Sequence, residues 1–226
     1  EKGVNILLSS SEENIQNFIN ELKLNPPILA RIDSINIEKI TEIKEYKTFE
    51  IIQSESSKNK STIISPDIAI CDDCIEDIND MSNFRYSYSL TNCTNCGPRY
   101  SIIKTVPYDR INTSMFSFEL CEKCKNEYEN PTNRRYHAQP VACENCGPNV
   151  VLYNNKNEVL SSDITAIKEI AQKINKGSIV AIKGMGGFHL ICDANNDNVV
   201  KELRVRKSRL NKPFAIMFKD INDIKI

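Results

Sequence analysis

Eight of the nine cysteines fall into four C-x-x-C pairs: Cys71 with Cys74, Cys93 with Cys96, Cys121 with Cys124, and Cys143 with Cys146. One C-x-x-C bend presents two thiolates from a single tight turn, and two bends complete a tetrahedral shell for zinc. Each half of the set reads C-x2-C-x18-C-x2-C, inside the roughly 15–20-residue separation typical of zinc sites. Gly97 and Gly147 directly follow the second pairs, where a knuckle has little room for a Cβ. Four thiolates leave no open coordination position, so the expected role is two structural Zn2+ ions. Spacing alone also admits iron. A local arrangement joins neighbouring pairs, and a nested one joins the first pair to the last.

Residues 71–98 and 121–148 align without a gap, with ten identities over 28 positions. Besides the cysteines these are Asn83, Arg85, Tyr86, Asn95, Gly97 and Pro98, matched by Asn133, Arg135, Tyr136, Asn145, Gly147 and Pro148. A repeat of this kind marks two copies of one small unit. It favours the local pairing, because each copy then holds a complete ligand set. His137 is replaced by Ser87 in the first copy, so it is read as a hydrogen-bonded surface or interface residue outside the metal shell.

A second chemical signal lies near the C-terminus. Four of the seven glycines fall between 177 and 187, three of them in the stretch Lys183-Gly184-Met185-Gly186-Gly187. A glycine-rich turn after a strand lets backbone N–H groups approach an anion, although this one matches neither the P-loop nor the dinucleotide fingerprint. Lys201, Arg204, Arg206, Lys207, Arg209 and Lys212 place six cations in twelve positions. Such a run is ordinarily a solvated helix face, and beside the glycines it is also a candidate phosphate site. Cys192, next to Leu190 and Ile191, reads as packed core.

The elements that would position these groups follow from hydrophobic periodicity. Val4, Ile6 and Leu8 alternate as in a strand. Ser10-x-x-Glu13 resembles a capping box for a helix carrying Ile15, Phe18, Ile19 and Leu22, which Asn25-Pro26-Pro27 ends. Ile35 with Ile37, and Phe49 with Ile51, suggest two more strands. Ser54 to Ser61 reads as a linker. Further on, Ile164, Ile167, Ala171 and Ile174 form a helix face ended by Gly177, followed by a strand at Ser178–Lys183. Val199, Val200 and Leu203 mark another helix, and Phe214–Phe218 another strand.

Composition narrows the function. The 29 basic and 30 acidic residues of the 226 leave a charge of -1, which provides no broad basic field. From Cys71 to Cys146 there are 8 Lys or Arg against 11 Asp or Glu, so nucleic acid is not the expected target. No apolar run nears the ~20 residues of a membrane span. No signal-peptide pattern opens the sequence, so the expectation is a cytoplasmic protein with reduced thiols and no membrane partner.

Taken in order, these parts resemble the HypF carbamoyltransferases of nickel–iron hydrogenase maturation. Pro26-Pro27-Ile28-Leu29-Ala30-Arg31-Ile32 is similar to their acylphosphatase-like domain, and Ser65-Pro66-Asp67-Ile68-Ala69-Ile70-Cys71 to the start of their zinc region. Asn92–Tyr100 and Arg135-Tyr136-His137-Ala138-Gln139-Pro140 are similar to the two finger signatures. Lys183–Leu190, Arg204–Arg209 and Lys212-Pro213-Phe214-Ala215 look like the opening of the YrdC-like domain. The resemblance implies an α+β multidomain chain. Its parts would be a partial ferredoxin-like α/β sandwich at 1–53, a linker at 54–65, two four-cysteine zinc-finger units at 66–148, and the start of a YrdC-like α/β domain at 149–226.

In that family carbamoyl phosphate is hydrolysed at the acylphosphatase-like domain, and ATP with Mg2+ activates the carbamate as an adenylate at the YrdC-like domain. The carbamoyl group then reaches the terminal cysteine of the acceptor HypE. By resemblance Lys207, Arg209 and Lys212 would meet phosphate or adenylate oxygens, with Lys183 nearby. No catalytic residue is assigned within this stretch. The arginine loop and asparagine of an acylphosphatase would precede Gly3, so the chain alone is not expected to run the full reaction. The alternative is a zinc-binding interaction module that presents Arg134, Arg135 and Tyr136 to a protein partner.

Overall fold

Residues 4–40, 64–184 and 186–224 are described by the computed structural model, which divides into the units Glu1–Pro148 and Asn149–Ile226. Helix α1 spans Glu12–Leu24 and buries Ile19. Its N-cap is Ser11, not Ser10. Ser11 is extended, and its side chain accepts a hydrogen bond from the Asn14 backbone N–H, whereas Ser10 Oγ accepts from the Asn14 side chain. The helix ends at Asn25, whose N–H returns to Glu21 O. Val4, Ile6 and Leu8 are exposed and unpaired, and Ile35 and Ile37 likewise enter no ladder, among the described residues. The third expected strand, at Phe49 and Ile51, lies outside them.

Each repeat starts with a two-turn helix: α2 at Asp72–Asn79 and α3 at Glu122–Glu129. Cys71 and Cys121 are the extended N-cap residues, so Cys74 and Cys124 fall in the first turn on the same side. Asp72, Asp73 and Glu122 in those first turns complement the positive helix end. Asp80 and Asn130 stop the helices by turning back on themselves, accepting from the N–H groups of Ser82 and Thr132. The segment between the repeats is held on a small apolar cluster of Tyr88, Ile102, Met115 and Ala142, with Tyr108 and Phe118 against it. Arg110 secures it, donating to the carbonyls of Gln139, Val141 and Phe118.

The second unit opens with an antiparallel hairpin, β1 Val151–Tyr153 and β2 Val159–Ser162. Asn157 takes a positive φ in its turn, and Asn154 Oδ1 accepts from the N–H groups of Lys156 and Glu158. Helix α4, Asp163–Asn175, ends in a Schellman motif. Gly177 at φ +84 donates to Ile174 O, and Ser178 donates to Lys173 O.

Strand β3, Val180–Gly184, pairs antiparallel with β4, Gly187–Ile191, through a two-residue connection. The glycine cluster therefore closes a hairpin, the geometry that tight two-residue loops with glycine favour, and does not lead from a strand into a helix. Helix α5, Asp197–Arg206, buries Val199 and Leu203. Phe214–Phe218 forms no strand among the described residues: Phe214 lies under two arginines, and Met217 is fully exposed. An alternating pattern supplies a face but no ladder partner.

Candidate metal centres

The cysteines gather as two local clusters, Cys71, Cys74, Cys93 and Cys96, and Cys121, Cys124, Cys143 and Cys146, with all sulfurs of a cluster within 4.8 Å of one another. This is the local pairing. Sulfur separations of 3.6 Å for Cys71–Cys93, 3.8 Å for Cys93–Cys96 and 3.7 Å for both Cys121–Cys143 and Cys143–Cys146 decide the chemistry. A tetrahedron with Zn–S bonds of ~2.3 Å has edges of about 3.8 Å, whereas a disulfide needs ~2.05 Å. The clusters fit a four-thiolate metal shell. Iron of similar bond length fits the same frame.

Each shell is built from a helix start and a knuckle. In the knuckle the Asn95 N–H donates to Cys93 Sγ at 3.3 Å. Hydrogen bonding from Cys74 holds the Cys93 thiol down at about 4. Cys74 itself is pushed up, first by that bond to Cys93 and then by burial. Burial likewise pushes the Cys124 thiol up. Metal binding must displace the protons these sulfurs retain.

Around the sulfurs lies a set of arginines that the sequence did not reveal. Arg85, with no solvent exposure, leaves its own repeat and donates to Cys124 Sγ (3.2 Å), Glu127 Oε2 (2.5 Å) and Ala142 O (2.9 Å). Arg135, its counterpart, crosses the other way to Cys74 Sγ (3.9 Å), Asp77 and Asn92 O (3.1 Å). Arg134 adds a donor to Cys74 Sγ at 2.9 Å and also pairs with Asp77. Asn83 and Asn133 set the corners, each accepting from its arginine's backbone N–H at 2.9 Å. The available signal was the presence of Asn83/Asn133 and Arg85/Arg135 among the few identities of the repeat.

His137 takes φ +50 and its counterpart Ser87 φ +61. Both close the same corner, donating backbone N–H groups to Tyr128 O and Ile78 O. The His137 ring sits between Tyr128 and Tyr136, with centroids 4.9 and 4.5 Å away.

In the second unit Lys207, Arg209 and Lys212 line one open depression of ≈ 470 Å³ with Ser208, Leu210 and Asn211. Lys183 is not among its lining residues; its ammonium lies 5.8 Å from the Phe188 ring centre. Arg204 turns inward, donating to the carbonyls of Arg209, Leu210 and Lys212, and Arg206 pairs with Glu202. The six-cation run therefore separates into a clamp at Arg204, two exposed cations on α5 at Lys201 and Arg206, and three loop cations. Among the described residues none of Lys207, Arg209 and Lys212 is in an ion pair, and the buried Arg209 Nε has no hydrogen-bond partner. Cys192 is half-buried on its own, with its thiol pushed up by burial and then by Asp193.

The family model described as "HypF finger" matches residues 70–103 and 120–153, one match for each sulfur cluster. Models described as "Acylphosphatase" and "Telomere recombination", the latter for the Sua5/YciO/YrdC group, match residues 1–51 and 172–226. A probable carbamoyltransferase HypF of Methanocaldococcus jannaschii is 51% identical over 96% of the chain. The chain belongs to the HypF family. Carbamoyltransferase HypF2 of Cupriavidus necator is 47% identical over 95% of the chain, and carbamoyltransferase HypF of a Synechocystis strain 43% over 99%. The chain spans 28%, 27% and 29% of these three relatives. A crystal structure of full-length HypF in a phosphate- and nucleotide-bound form superposes with a TM-score of 0.79 at 46% identity, covering 94% of this chain and 27% of that one. The HypF likeness thus embraces an acylphosphatase-like part, two finger units and the start of a YrdC-like part. No described helix is long and apolar enough to cross a membrane.

Proposed function

We propose that this chain is the part of a HypF-type carbamoyltransferase in which two structural zinc centres hold the finger region between an acylphosphatase-like and a YrdC-like part. The observation that carries this reading is the pair of closed four-sulfur shells, spaced for Zn2+ and matched one by one by the HypF finger model. Closed shells leave no position for substrate, so the metal's contribution is to fix the fold.

The reaction we assign to the whole enzyme uses carbamoyl phosphate and ATP with Mg2+. It forms a carbamoyl adenylate and transfers the carbamoyl group to the C-terminal cysteine of a HypE-like acceptor, the precursor of the cyanide ligands of hydrogenase iron. The setting would be cytoplasmic. Within this chain Lys207, Arg209 and Lys212 are the groups for the nucleotide's phosphate oxygens. Cations on a loop held by its main chain can stabilise such charge without reorganising. Lys183 has the weaker case, because it lies outside the shared depression.

The test is binding of MgATP to the zinc-loaded chain by calorimetry. Arg209→Ala should weaken it about tenfold or more, the usual cost of a charged hydrogen bond. Binding unchanged by Arg209→Ala would overturn the assignment of that residue. A zinc-loaded, folded chain with no nucleotide affinity would favour the interaction-module reading.

A further inference from the structure

We propose that the two metal centres load as a pair, because each is completed by arginine side chains from the other repeat. This rests on the zinc reading above and goes beyond it.

Arg85 lies between the two cysteine pairs of the first cluster, yet its guanidinium is spent on the second. It has no solvent exposure, and its Nη1 has no hydrogen-bond partner. A guanidinium so placed must be balanced by the charges around it. Glu127 supplies one, and Cys124 Sγ, 3.2 Å from the guanidinium, supplies another once it is a metal-bound thiolate. A zinc ion with four thiolates carries a net double negative charge, so the filled second centre holds Arg85 firmly in place. Through Asn83 and the corner at Ser87, Arg85 in turn fixes the chain between Cys74 and Cys93, which the first centre needs.

The converse path runs through Arg134 and Arg135 to Cys74 and Asp77, from the corner between Cys124 and Cys143. Asp77 receives both of these arginines, and Glu127 receives Arg85 and Arg135. The five side chains form one bridge between the shells. Loading either centre orders the donors of the other, and by linkage the effect is equal in both directions. Partners that orient metal ligands typically change affinity by ~10–100-fold. Here those partners are exchanged between sites, so that factor becomes a coupling.

The experiment is native mass spectrometry of the full chain titrated with Zn2+ in a competing chelator. Independent equal sites give a one-zinc species that reaches about half the protein at half-loading. Tenfold coupling lowers it to about a quarter. A one-zinc fraction at or above half overturns the proposal while leaving two zinc sites in place, and a chain that takes up no zinc defeats the zinc reading itself.

Arg85→Met then gives the direction. Under chelator, cysteine alkylation should reach Cys121, Cys124, Cys143 and Cys146 about tenfold sooner than in the parent chain, and before the first cluster. Earlier exposure of Cys71, Cys74, Cys93 and Cys96 would instead show that Arg85 serves only its own repeat. Arg85→Lys, which keeps the charge but loses the fork, should lie between, and the parent chain's zinc distribution tests the coupling without any variant.

Discussion

Gly97 and Gly147 hold equivalent places after the second cysteine pairs, yet they are glycine for different reasons. Gly97 has φ +93, and a Cβ there would lie 2.6 Å from Asn92 Cβ. Gly147 has no positive φ; a Cβ there would lie 2.3 Å from Tyr88 Oη and 2.5 Å from Ala142 Cβ. The first is a backbone requirement and the second a packing one. Gly97→Ala should therefore cost about 1–2 kcal/mol through its left-handed conformation, beyond the clash itself. Gly147→Ala should cost ~1–3 kcal/mol by overpacking. Urea unfolding of the zinc-loaded chain checks both. Combining Gly147→Ala with Ala142→Gly and Tyr88→Phe should recover part of the loss, whereas trimming Asn92 should leave most of the Gly97→Ala strain.

Removing the metal should unfold the finger region. Many of its most buried side chains are the cysteines themselves, and the apolar cluster beside them is small. Structural zinc contributes ~10–16 kcal/mol in small domains, far more than such a cluster supplies. A chelator, or Cys124→Ser in the second shell, should collapse amide chemical-shift dispersion for residues 66–148. Retained dispersion would show a fold independent of metal.

Zinc uptake should release protons. Unligated cysteine thiols titrate at about 8.5, so most are neutral at pH 7 and must be deprotonated to ligate. Affinity should rise with pH by about tenfold per unit for each proton released. Calorimetry in buffers of different ionisation heat counts those protons, and an uptake independent of buffer would contradict the expectation.

Asp67 is the acid-sensitive tie of the segment before the fingers. Slight burial raises its carboxyl, but the N–H groups of Arg99 (2.7 Å) and Ser101 (3.0 Å) outweigh that and hold it below the usual carboxylate range. A lowered carboxyl stabilises the fold above its unfolded value near ~3.9 and loses that contribution as pH falls through the folded value. Asp67→Asn should lower stability modestly at pH 7, where the zinc shells stay filled, read by urea unfolding of the zinc-loaded chain. Unchanged stability would remove Asp67 from this role.

Ser208 ends α5 at φ +49, in the place where a Schellman motif prefers glycine; its N–H reaches Val205 O and that of Arg209 reaches Arg204 O. Ser208→Gly should raise stability of the second unit by about 0.5–1 kcal/mol, read from its thermal midpoint. A loss would mean that the serine side chain itself is needed in the basic loop.

How much of this could be read in advance depended on whether a residue's role was local. The sulfur shells were legible because ligand spacing is a local constraint, and Gly177 because a helix stop is one. The β1–β2 hairpin escaped notice although Asn154-Asn155-Lys156-Asn157 is a turn signal between two apolar runs. The glycine cluster was legible as a candidate anion loop but not as the turn of a two-residue hairpin, because only the pairing of Gly184 with Gly187 reveals the hairpin. Arg85 and Arg135 were visible as identities but not as buried charges. Hydrophobic periodicity has no term for an arginine whose partner is a sulfur 39 residues away.

The paired corners at Ser87 and His137 carry one more consequence. Their backbone N–H groups do the same work, so the side chain was free to drift between a hydroxyl and an imidazole once the unit had doubled. The two copies thereby record an unplanned mutagenesis of a single motif. Where they agree, at cysteines, asparagine corners and crossing arginines, the geometry tolerates no replacement that this chain has kept. Where they differ at a corner made by backbone alone, as at Ser87 and His137, a substitute is already written fifty positions along, so a library of finger variants could begin from exchanges there.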